Sequence, residues 1–483
     1  MPPRGETLSR RSLLLGMSAL PVLGPWGEKH LLGMSALPVL GVSAKKHLLL
    51  DSRIIERTEG VRLALGTVTK DPHNPLFGDD KPWEPYPGNQ CTSSLFDKEE
   101  RIFKSWYNLF VVDEQYEVTP KEKRVFPYKP GKREMGVCYA VSKDGIGWEK
   151  PELGLVDYKG STRNNLVARD TWEVGVFKDP RDPDPARRYK MFFKAKYMAA
   201  RFSRDGLHWS ATVEFPEIQA NGDTHNNAFW APELNRYVGI TRLKHPVTKE
   251  RYVGRTESPD FLKWTKAVEV MRALPDEAPR QTYAMPVFRY ANVYLGLVMM
   301  FNAGATKMFT TEANAVDCEL AWSADTMHWE RICLGTPLIP RGPEGSFDGG
   351  CIYAAAYPFL HNGQILLYYS GSNGTHDAWR EDFLCLARLR PDGFAGMETT
   401  SSAPGTVTTR PVRCGGNRLS ISADAKGGSV RVALPGVGLS RPISGAVTDH
   451  AVSWPSAPAL EGREVELRFE LRSAKLYSFT FSA

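Results

Sequence analysis

Four acidic residues lie in short polar segments, each shortly before a run of β-forming residues: Glu84, Glu173, Asp223 and Asp348. Carboxyl groups that face a common cavity raise one another's proton affinity, so one can hold a proton while another stays ionised. This division of protonation states is what general acid and base catalysis requires. We therefore interpret these four residues as candidate catalytic groups.

Seven further residues are interpreted as candidate substrate ligands. The aromatic rings among them offer an apolar face for stacking, and the polar side chains offer hydrogen bonds. We interpret the two histidines as hydrogen-bonding residues and not as metal ligands. The seven are Trp83, Trp172, His225, Asn226, Arg280, Tyr283 and His376.

The cysteine pattern and the absence of cofactor motifs favour a protein without a bound cofactor. The seven cysteines are widely spaced and odd in number, which predicts neither a zinc site nor a disulfide scaffold. The sequence has no glycine-rich phosphate loop, no H-E-x-x-H segment and no EF-hand pattern. We expect no metal or nucleotide cofactor, and only a structural cation remains open.

A repeated turn indicates the elements that must position these residues. A Ser-x-Asp turn that ends in tryptophan occurs at Ser142–Trp148, Ser203–Trp209, Ser258–Trp264 and Ser323–Trp329, and Asp392 lies in a degenerate fifth copy. Ser and Asp side chains bond the backbone of tight turns, and a tryptophan covers the neighbouring apolar layer. We interpret these acids as structural.

A second repeat runs in phase with the first. Short runs of β-forming residues begin at Phe103, Tyr189, Tyr237, Tyr294 and Ile365, each preceded by another apolar run and a turn. The combined unit of about 63 residues suits a four-stranded blade. The sequence therefore predicts an all-β fold with a five-bladed β-propeller, and an array of sandwiches is the less favoured alternative.

Composition changes along the chain predict three segments. Residues 45–397 are assigned to the propeller. After Met397 the sequence turns rich in Thr, Ser, Gly and Pro, and then alternates polar with apolar residues, which predicts a small β-sandwich over 398–483. In such a propeller the candidate residues would line the central funnel.

The first 44 residues read as an export signal. Arg10 and Arg11 precede an apolar run, the pattern of a twin-arginine signal peptide, and residues 14–24 recur identically at 31–41 as part of a duplicated 17-residue unit. A membrane helix is the alternative, but each apolar run is shorter than the ~20 residues that span a bilayer. We expect an exported, periplasmic or extracellular protein without a stable membrane span.

Charge and composition exclude several classes of protein. The chain carries 61 Lys and Arg against 55 Asp and Glu, a net charge of +6, and the basic residues are scattered. This pattern does not favour a nucleic-acid partner. A composition of 42% hydrophobic and 24% charged residues is typical of a folded globular protein and disfavours intrinsic disorder.

The chain resembles the five-bladed propeller glycoside hydrolases, the fructosidase-like and arabinanase-like families 32 and 43, many of which carry a C-terminal β-sandwich. The resemblance rests on the predicted architecture, on Glu173–Phe177 beside the families' Arg-Asp-Pro motif, and on Asp223–Phe229 beside their third motif. It implies cleavage of glycosidic bonds in a carbohydrate, with Asp223 as general acid, Glu173 orienting, and Glu84 or Asp348 as base or nucleophile.

The first blade departs from the families' pattern. Their first-blade aspartate would fall near Gln90, where this chain has no acid. A non-catalytic carbohydrate-binding propeller therefore stays open as an alternative. A sialidase-like enzyme is a second one; it would need six blades, a tyrosine nucleophile and three clustered arginines, for which only Arg255 and Arg280 are candidates. The sugar, the linkage and the oligomeric state are not predicted.

The export signal can be tested at its cleavage site. Val42, Ser43 and Ala44 fit the small-x-small rule of signal peptidase, so the mature chain should begin at Lys45. Mass spectrometry of the exported protein should find that N-terminus. Replacing Arg10 and Arg11 together by lysine should block export, whereas Arg4→Lys should not; unchanged export of the double variant would contradict the assignment.

Overall fold

A computed structural model describes residues 46–86, 88–90, 92–125, 128–303 and 314–483. The predicted signal peptide lies outside these residues. The described residues form one compact unit that consists mainly of strands. Within the described residues, no helix is both long and apolar enough to cross a membrane.

Four short strands come before the propeller. They are β1 (Lys46–Leu48), β2 (Ile55–Glu59), β3 (Val61–Leu65) and β4 (Thr69–Lys70). Three of them pair with strands near the C-terminus, and β4 pairs with the last blade of the propeller.

Five groups of antiparallel strands follow in chain order and form the blades, and a parallel pairing joins the last two groups in one continuous sheet. The first contains β5 (Thr92–Asp97), β6 (Ile102–Asp113), β7 (Arg133–Ser142), β8 (Trp148–Glu149) and β9 (Leu166–Arg169). The second contains β10 (Trp172–Lys178), β11 (Tyr189–Lys194), β12 (Met198–Ser203) and β13 (Val213–Phe215). The third contains β14 (Asn227–Ala231), β15 (Arg236–Lys244), β16 (Arg251–Ser258) and β17 (Val268–Met271).

The last two blades follow the same pattern with a divided first strand. The fourth contains β18 (Arg280–Ala284), β19 (Val287–Tyr290), β20 (Val293–Asn302), β21 (Val316–Ser323) and β22 (Trp329–Ile332). The fifth contains β23 (Cys351–Ala354), β24 (Phe359–His361), β25 (Gln364–Ser372) and β26 (Asp382–Leu389), and β4 is its outer strand.

Helices are few and short. The part of the chain that the structure describes contains one α-helix, α1 (Glu114–Val118), after β6, and single 3-10 turns at Ser52–Ile54, Lys121–Lys123, Pro185–Arg187, Pro216–Ile218 and Pro275–Glu277. The all-β class predicted from the two repeats is confirmed, and the strands of this region pair in the blade-like groups described above.

The first strands of neighbouring blades contact one another around the ring. The Val176 backbone N–H donates to the Ser93 hydroxyl at 3.0 Å and joins the second blade to the first. Asn227 Nδ2 donates to the carbonyl oxygen of Val287 at 2.8 Å, and Ser93 forms a parallel bridge with Ala356. Through these contacts the first strands define the central funnel.

The repeated turns have the structural role predicted for them. At the first copy, Asp144 Oδ1 accepts the backbone N–H groups of Ile146 and Gly147, both at 2.8 Å. Gly145, which follows Asp144 directly, has a φ of +79°, and a Cβ there would lie 2.6 Å from the Tyr368 hydroxyl, so glycine is required. These acids are committed to backbone bonds and have no role in a funnel site.

Each turn also places its tryptophan against another blade. The Trp264 ring stacks on Phe192 of the second blade, with centroids 5.0 Å apart. Trp148 contacts Tyr368 of the fifth blade edge to face at 5.8 Å. The tryptophans therefore fill the space between blades, which sets how the five sheets pack around the funnel.

The degenerate fifth copy differs from the other four. Asp392 itself adopts the left-handed backbone, with a φ of +64°, where Gly145 does so in the first copy. Its fully buried carboxylate accepts from Lys46 Nζ at 2.7 Å and from the hydroxyls of Ser422 (2.6 Å), Ser478 (2.7 Å) and Tyr290 (2.9 Å). Asp392 thus ties the propeller to the C-terminal strands.

The C-terminal strands form one bent sheet that closes nearly into a barrel around an apolar interior. The strand order is β2-β28-β34-β30-β35-β27-β3, and the long β30 also pairs with β31 and β32. The strands are β27 (Ala395–Thr399), β28 (Gly405–Thr409), β29 (Val412–Arg413), β30 (Arg418–Leu434), β31 (Gly438–Leu439), β32 (Ile443–Ala451), β33 (Glu464–Val465), β34 (Arg468–Arg472) and β35 (Lys475–Ser482).

Sheet pairing differs from the predicted limits of 45–397 and 398–483. The strands β1, β2 and β3 pair with β35, β28 and β27, so residues 46–65 and 395–399 belong to the C-terminal sheet. Such pairing joins segments more than 300 residues apart, and composition along the chain carries no information about it. The propeller begins at β4, which supplies the outer strand of the fifth blade.

Asp392 should contribute strongly to stability. Asp392→Asn leaves Lys46 without its buried partner, so we expect the free energy of unfolding to fall by about 3 kcal/mol in urea titrations. Asp449→Asn is the matched control, because Asp449 also contacts Lys46 but its side chain is 52% exposed.

The effect of Asp392 should depend on pH in a defined direction. Burial raises the pKa of Asp392, but Lys46, Ser422 and Ser478 outweigh it and hold the pKa below its ordinary value. The stabilisation is therefore present above about pH 4, the ordinary pKa of aspartate, and is lost as the pH falls through the lower folded-state pKa. A constant difference between wild type and Asp392→Asn down to pH 2 would contradict this role.

Candidate active site

A cavity of about 320 Å³ lies at the end of the propeller where the first and third strands of several blades begin. All five blades or the segments that lead into them contribute to its lining. Five of the residues predicted from the sequence line it: Glu173, Asp223, Trp172, Tyr283 and His376. The cavity is therefore our candidate active site.

Glu173 is held in the cavity wall by a strained backbone. It lies in a β-bulge of β10 and has a φ of +54°, which is uncommon for a residue with a side chain. The backbone N–H of Glu173 donates to Asn108 Oδ1 at 2.6 Å, and its carbonyl oxygen accepts from the Asn226 backbone at 3.1 Å. Because both its backbone N–H and its carbonyl oxygen are hydrogen-bonded, the backbone of Glu173 is held in this conformation before any ligand binds.

Asn226, predicted to bind substrate, instead supports Glu173. Its side chain is fully buried, and Nδ2 lies 2.9 Å from the carbonyl oxygen of Glu173 and 2.8 Å from that of Gly222. Its Oδ1 accepts from the Thr241 hydroxyl at 2.6 Å. Both polar atoms of the Asn226 side chain are hydrogen-bonded to the protein and are not available to a sugar. The predicted substrate-binding role of Asn226 is therefore corrected to a positioning role.

Asp223, the second candidate acid of the cavity, lies beside two cations. One carboxylate oxygen is 3.2 Å from Arg242 Nη1 and 3.3 Å from Lys244 Nζ, and the side chain is 59% exposed. Burial raises the pKa of Asp223, but the charges of Arg242, Lys244 and Arg251 outweigh it and lower the pKa below its ordinary value. Asp223 is therefore ionised at neutral pH.

Arg242 connects Asp223 to the aromatic wall of the cavity. The guanidinium is buried; Nη2 donates to the carbonyl oxygen of Tyr283 at 2.6 Å, and the group lies over the Tyr283 ring at 4.4 Å. Tyr283 also accepts a hydrogen bond from Asn89 Nδ2 at its hydroxyl, at 2.7 Å. The ring and the cation thus fix each other's position.

Arg380 anchors the other side of the same network. It lies before β26 in the fifth blade, where Nε is 3.1 Å from Asp382 Oδ2, and Nη2 donates to Asn89 Oδ1 at 2.8 Å. Both Arg380 and Asp382 are buried. Because Asn89 accepts from Arg380, its amide nitrogen must face Tyr283, which orients the network from the fifth blade to the fourth.

His376 lines the cavity as a neutral imidazole. Burial, with the charges of Arg380, Arg251, Arg242 and Arg133, lowers its pKa well below the ordinary value. Nδ1 lies 2.7 Å from the Tyr353 hydroxyl, and the ring contacts Tyr283 edge to face at 4.7 Å. The described residues contain no group of three or more His, Cys, Asp or Glu side chains arranged to hold a metal ion.

Glu84 and Trp83, both predicted site residues, lie outside the cavity. The buried Glu84 carboxylate accepts from Lys150 Nζ and the Tyr107 hydroxyl, each at 2.7 Å. Burial raises the pKa of Glu84, against the opposing effect of Lys150. The Trp83 indole N–H donates to Asn165 Oδ1 at 2.7 Å. Their partners hold the segment before β5 against β6 and against the residues between β8 and β9, so the prediction that Glu84 is catalytic and Trp83 binds substrate is corrected.

Asp348 also fails to reach the cavity. It is buried, 2.5 Å from Lys70 Nζ and 2.8 Å from the Tyr369 hydroxyl. Lys70 belongs to β4, the outer strand of the fifth blade. Asp348 therefore holds the N-terminal strand in place, and its predicted catalytic role is corrected to a structural one.

Arg280 and His225 are likewise absent from the cavity lining. Arg280 donates to the buried Glu319 at 2.7 Å inside the fourth blade. His225 is buried, and burial lowers its pKa to about 4. The predicted substrate-binding role of both is corrected, since neither side chain lines the cavity.

The sequence analysis missed four arginines that line the cavity: Arg133, Arg242, Arg251 and Arg380. It considered only segments before the first strand of each blade. In an antiparallel blade the second strand ends, and the third begins, at the same edge as the first strand begins. Arg242 lies near the end of β15, and Arg133 and Arg251 open β7 and β16, so this rule would have found three of them.

These arginines bear on the sialidase-like alternative. The candidates named from the sequence are engaged elsewhere: Arg255 pairs with Glu257 at 2.8 Å, and Arg280 with Glu319. The fold has five blades, not the six that this alternative needs. Burial raises the pKa of both Tyr86 and Tyr128, two cavity tyrosines, which disfavours either as a nucleophile.

Comparisons with known proteins give structural likeness only. No protein-family model matches the chain, and no curated protein matches it. A β-1,2-mannobiose phosphorylase from Listeria innocua is similar at a TM-score of 0.45 and 14% identity, covering 67% of this chain and 97% of its own. A glycosyl hydrolase from Bacteroides ovatus gives 0.44, 14%, 67% and 94%, and a thermostable family-43 glycoside hydrolase gives 0.43, 13%, 66% and 96%.

The ionised state of Asp223 can be tested directly. Lys244→Gln removes one of the cations that lower the pKa of Asp223, so that pKa should rise toward its ordinary value. Carbon NMR of aspartate-labelled protein, with the Asp223 signal assigned by Asp223→Asn, would follow the titration. Lys426→Gln, at an exposed site in the C-terminal sheet, is the control. An Asp223 titration that Lys244→Gln leaves unchanged would contradict the pairing.

Proposed function

We propose that the protein is an exported glycosidase that cleaves a poly- or oligosaccharide in the funnel cavity. The observation that carries the proposal is Glu173, a carboxylate held by a strained and doubly bonded backbone in the wall of the cavity that also contains the ionised Asp223. Two carboxyl groups in different protonation states are the requirement for glycoside hydrolysis. The predicted signal peptide supports export.

The electrostatics favour roles opposite to those implied by the family resemblance. A general acid must hold a proton at working pH, and Arg242 and Lys244 favour the ionised form of Asp223. We assign Asp223 the part of base or nucleophile. Glu173, the other candidate acid that lines the cavity, is assigned the part of proton donor to the leaving oxygen.

The aromatic residues of the cavity suit a sugar ring. Trp172 contacts Phe110 edge to face at 5.7 Å, and both rings line the cavity with Tyr86 and Tyr283. Rings held by such contacts present fixed apolar surfaces on which the C–H face of a sugar can stack. The neutral His376 can exchange hydrogen bonds with sugar hydroxyls without introducing a charge.

Replacing the two carboxylates by amides tests the proposal. A reducing-end screen against a panel of glycans would first identify a substrate. On that substrate Glu173→Gln and Asp223→Asn should each lower kcat/KM by about 10²-fold or more, because each removes a group that acts in the transition state. Asp276→Asn, an exposed acid outside the cavity, is the matched control. Full activity in both variants would rule out this site.

Leaving-group dependence separates the two roles. A dinitrophenyl glycoside of the same sugar needs little protonation on departure, so Glu173→Gln should lose far less activity on it than on the natural glycan. Asp223→Asn should lose activity on both substrates. The reverse pattern would exchange the two assignments, and glycan binding by calorimetry without any bond cleavage would favour the non-catalytic carbohydrate-binding alternative.

A further inference from the structure

Two of the four cavity arginines lack an anionic partner. Arg242 pairs with Asp223, and Arg380 pairs with Asp382. Arg133 and Arg251 form no ion pair with any described residue; their guanidinium groups lie over Phe110 at 4.6 Å and Phe301 at 4.9 Å. Two arginines without a direct ion pair to a described residue therefore line the same cavity as the candidate catalytic acids.

Arg251 is also short of hydrogen bonds. Its Nη1 donates to Gln281 Oε1 at 3.0 Å, while the buried Nε has no hydrogen-bond partner. A buried donor without an acceptor is costly unless a ligand satisfies it. The combination of an unfilled donor, an unpaired charge and a cavity indicates that the missing group is an acceptor that carries negative charge.

The charges of these arginines reach the interior of the cavity. His376 contacts Tyr283 and lines the same space, and Arg133, Arg251, Arg242 and Arg380 all help to lower its pKa. The effect of four cations on one imidazole is what an electropositive cavity produces. These charges would attract an anionic ligand into the cavity.

We propose that Arg133 and Arg251 form a subsite for an oxyanion that enters the cavity with the substrate. The inference rests on the proposed glycosidase function and narrows its substrate class. The forked donors of a guanidinium match the oxygens of a carboxylate or a phosphate. The oxyanion is either the carboxylate of an acidic sugar or a free inorganic phosphate, and the two sources are separated by the experiment below.

Binding of simple ligands tests the subsite without any turnover. Calorimetry with glucuronate, galacturonate and inorganic phosphate, each against the neutral sugars glucose and galactose, should show tighter binding of at least one anion. Preference for the uronates identifies a sugar carboxylate, and preference for phosphate identifies the free anion. Raising the salt concentration should weaken the anion's binding and leave that of the neutral sugars unchanged.

Matched variants assign the binding to the two residues. Arg133→Met and Arg251→Met keep the apolar contact with Phe110 and Phe301 but remove the charge, and each should weaken anion binding by about tenfold or more. Arg251→Lys keeps the charge without the fork and should lose less. Arg163→Met, on an exposed arginine outside the cavity, is the control, and thermal unfolding verifies that every variant is folded.

Two outcomes would overturn the proposal. One is that no anion binds more tightly than the neutral sugars. The other is that anion binding is equal in wild type, Arg133→Met and Arg251→Met. Neither outcome bears on whether Glu173 and Asp223 cleave a neutral glycan, so failure of the subsite and failure of the glycosidase function are distinguishable.

Discussion

The buried ion pair between Arg380 and Asp382 is the interaction on which the candidate site depends. Removing two charges from water is costly, and the cost is offset only where the remaining donors are also satisfied. Arg380 meets that condition with bonds to Asn89 and to the carbonyl oxygens of Gly88 and Thr375. Because Gly88 and Asn89 precede the first blade and Arg380 precedes the last strand of the fifth, the pair fastens the ring where it closes.

A series of direct contacts connects this ion pair to the candidate acid Asp223. Arg380 fixes the amide of Asn89, Asn89 fixes the hydroxyl of Tyr283, and the Tyr283 ring lies under Arg242. Arg242 in turn keeps Asp223 ionised. The protonation state of a carboxylate in the third blade is thus connected by direct contacts to an ion pair in the fifth.

The fold was predictable because its information is local and repeated. Ser142, Asp144 and the tryptophan that follows form the same turn in four copies, and each bond that defines it lies within a few residues. Glu173 and Asp223 were found by the rule that the first strand of a blade begins at the funnel. The same rule failed for Glu84 and Asp348, because these carboxylates form ion pairs outside the cavity. Their partners, Lys150 and Lys70, are distant in sequence and could not be identified from it. The four cavity arginines were missed because the rule did not consider where second strands end and third strands begin.

Pairing of the two ends of the described chain has a kinetic consequence. Lys70 lies beside Ala387, and Lys46 beside Thr480, so the first strands find their partners only after almost the whole polypeptide exists. Loop closure over such distances has a high entropic cost, and proteins dominated by contacts between distant residues fold slowly. During synthesis the strands of segment 46–70 therefore stay unpaired, with their edges exposed to other chains. The fold can be completed only when the last strand has left the ribosome.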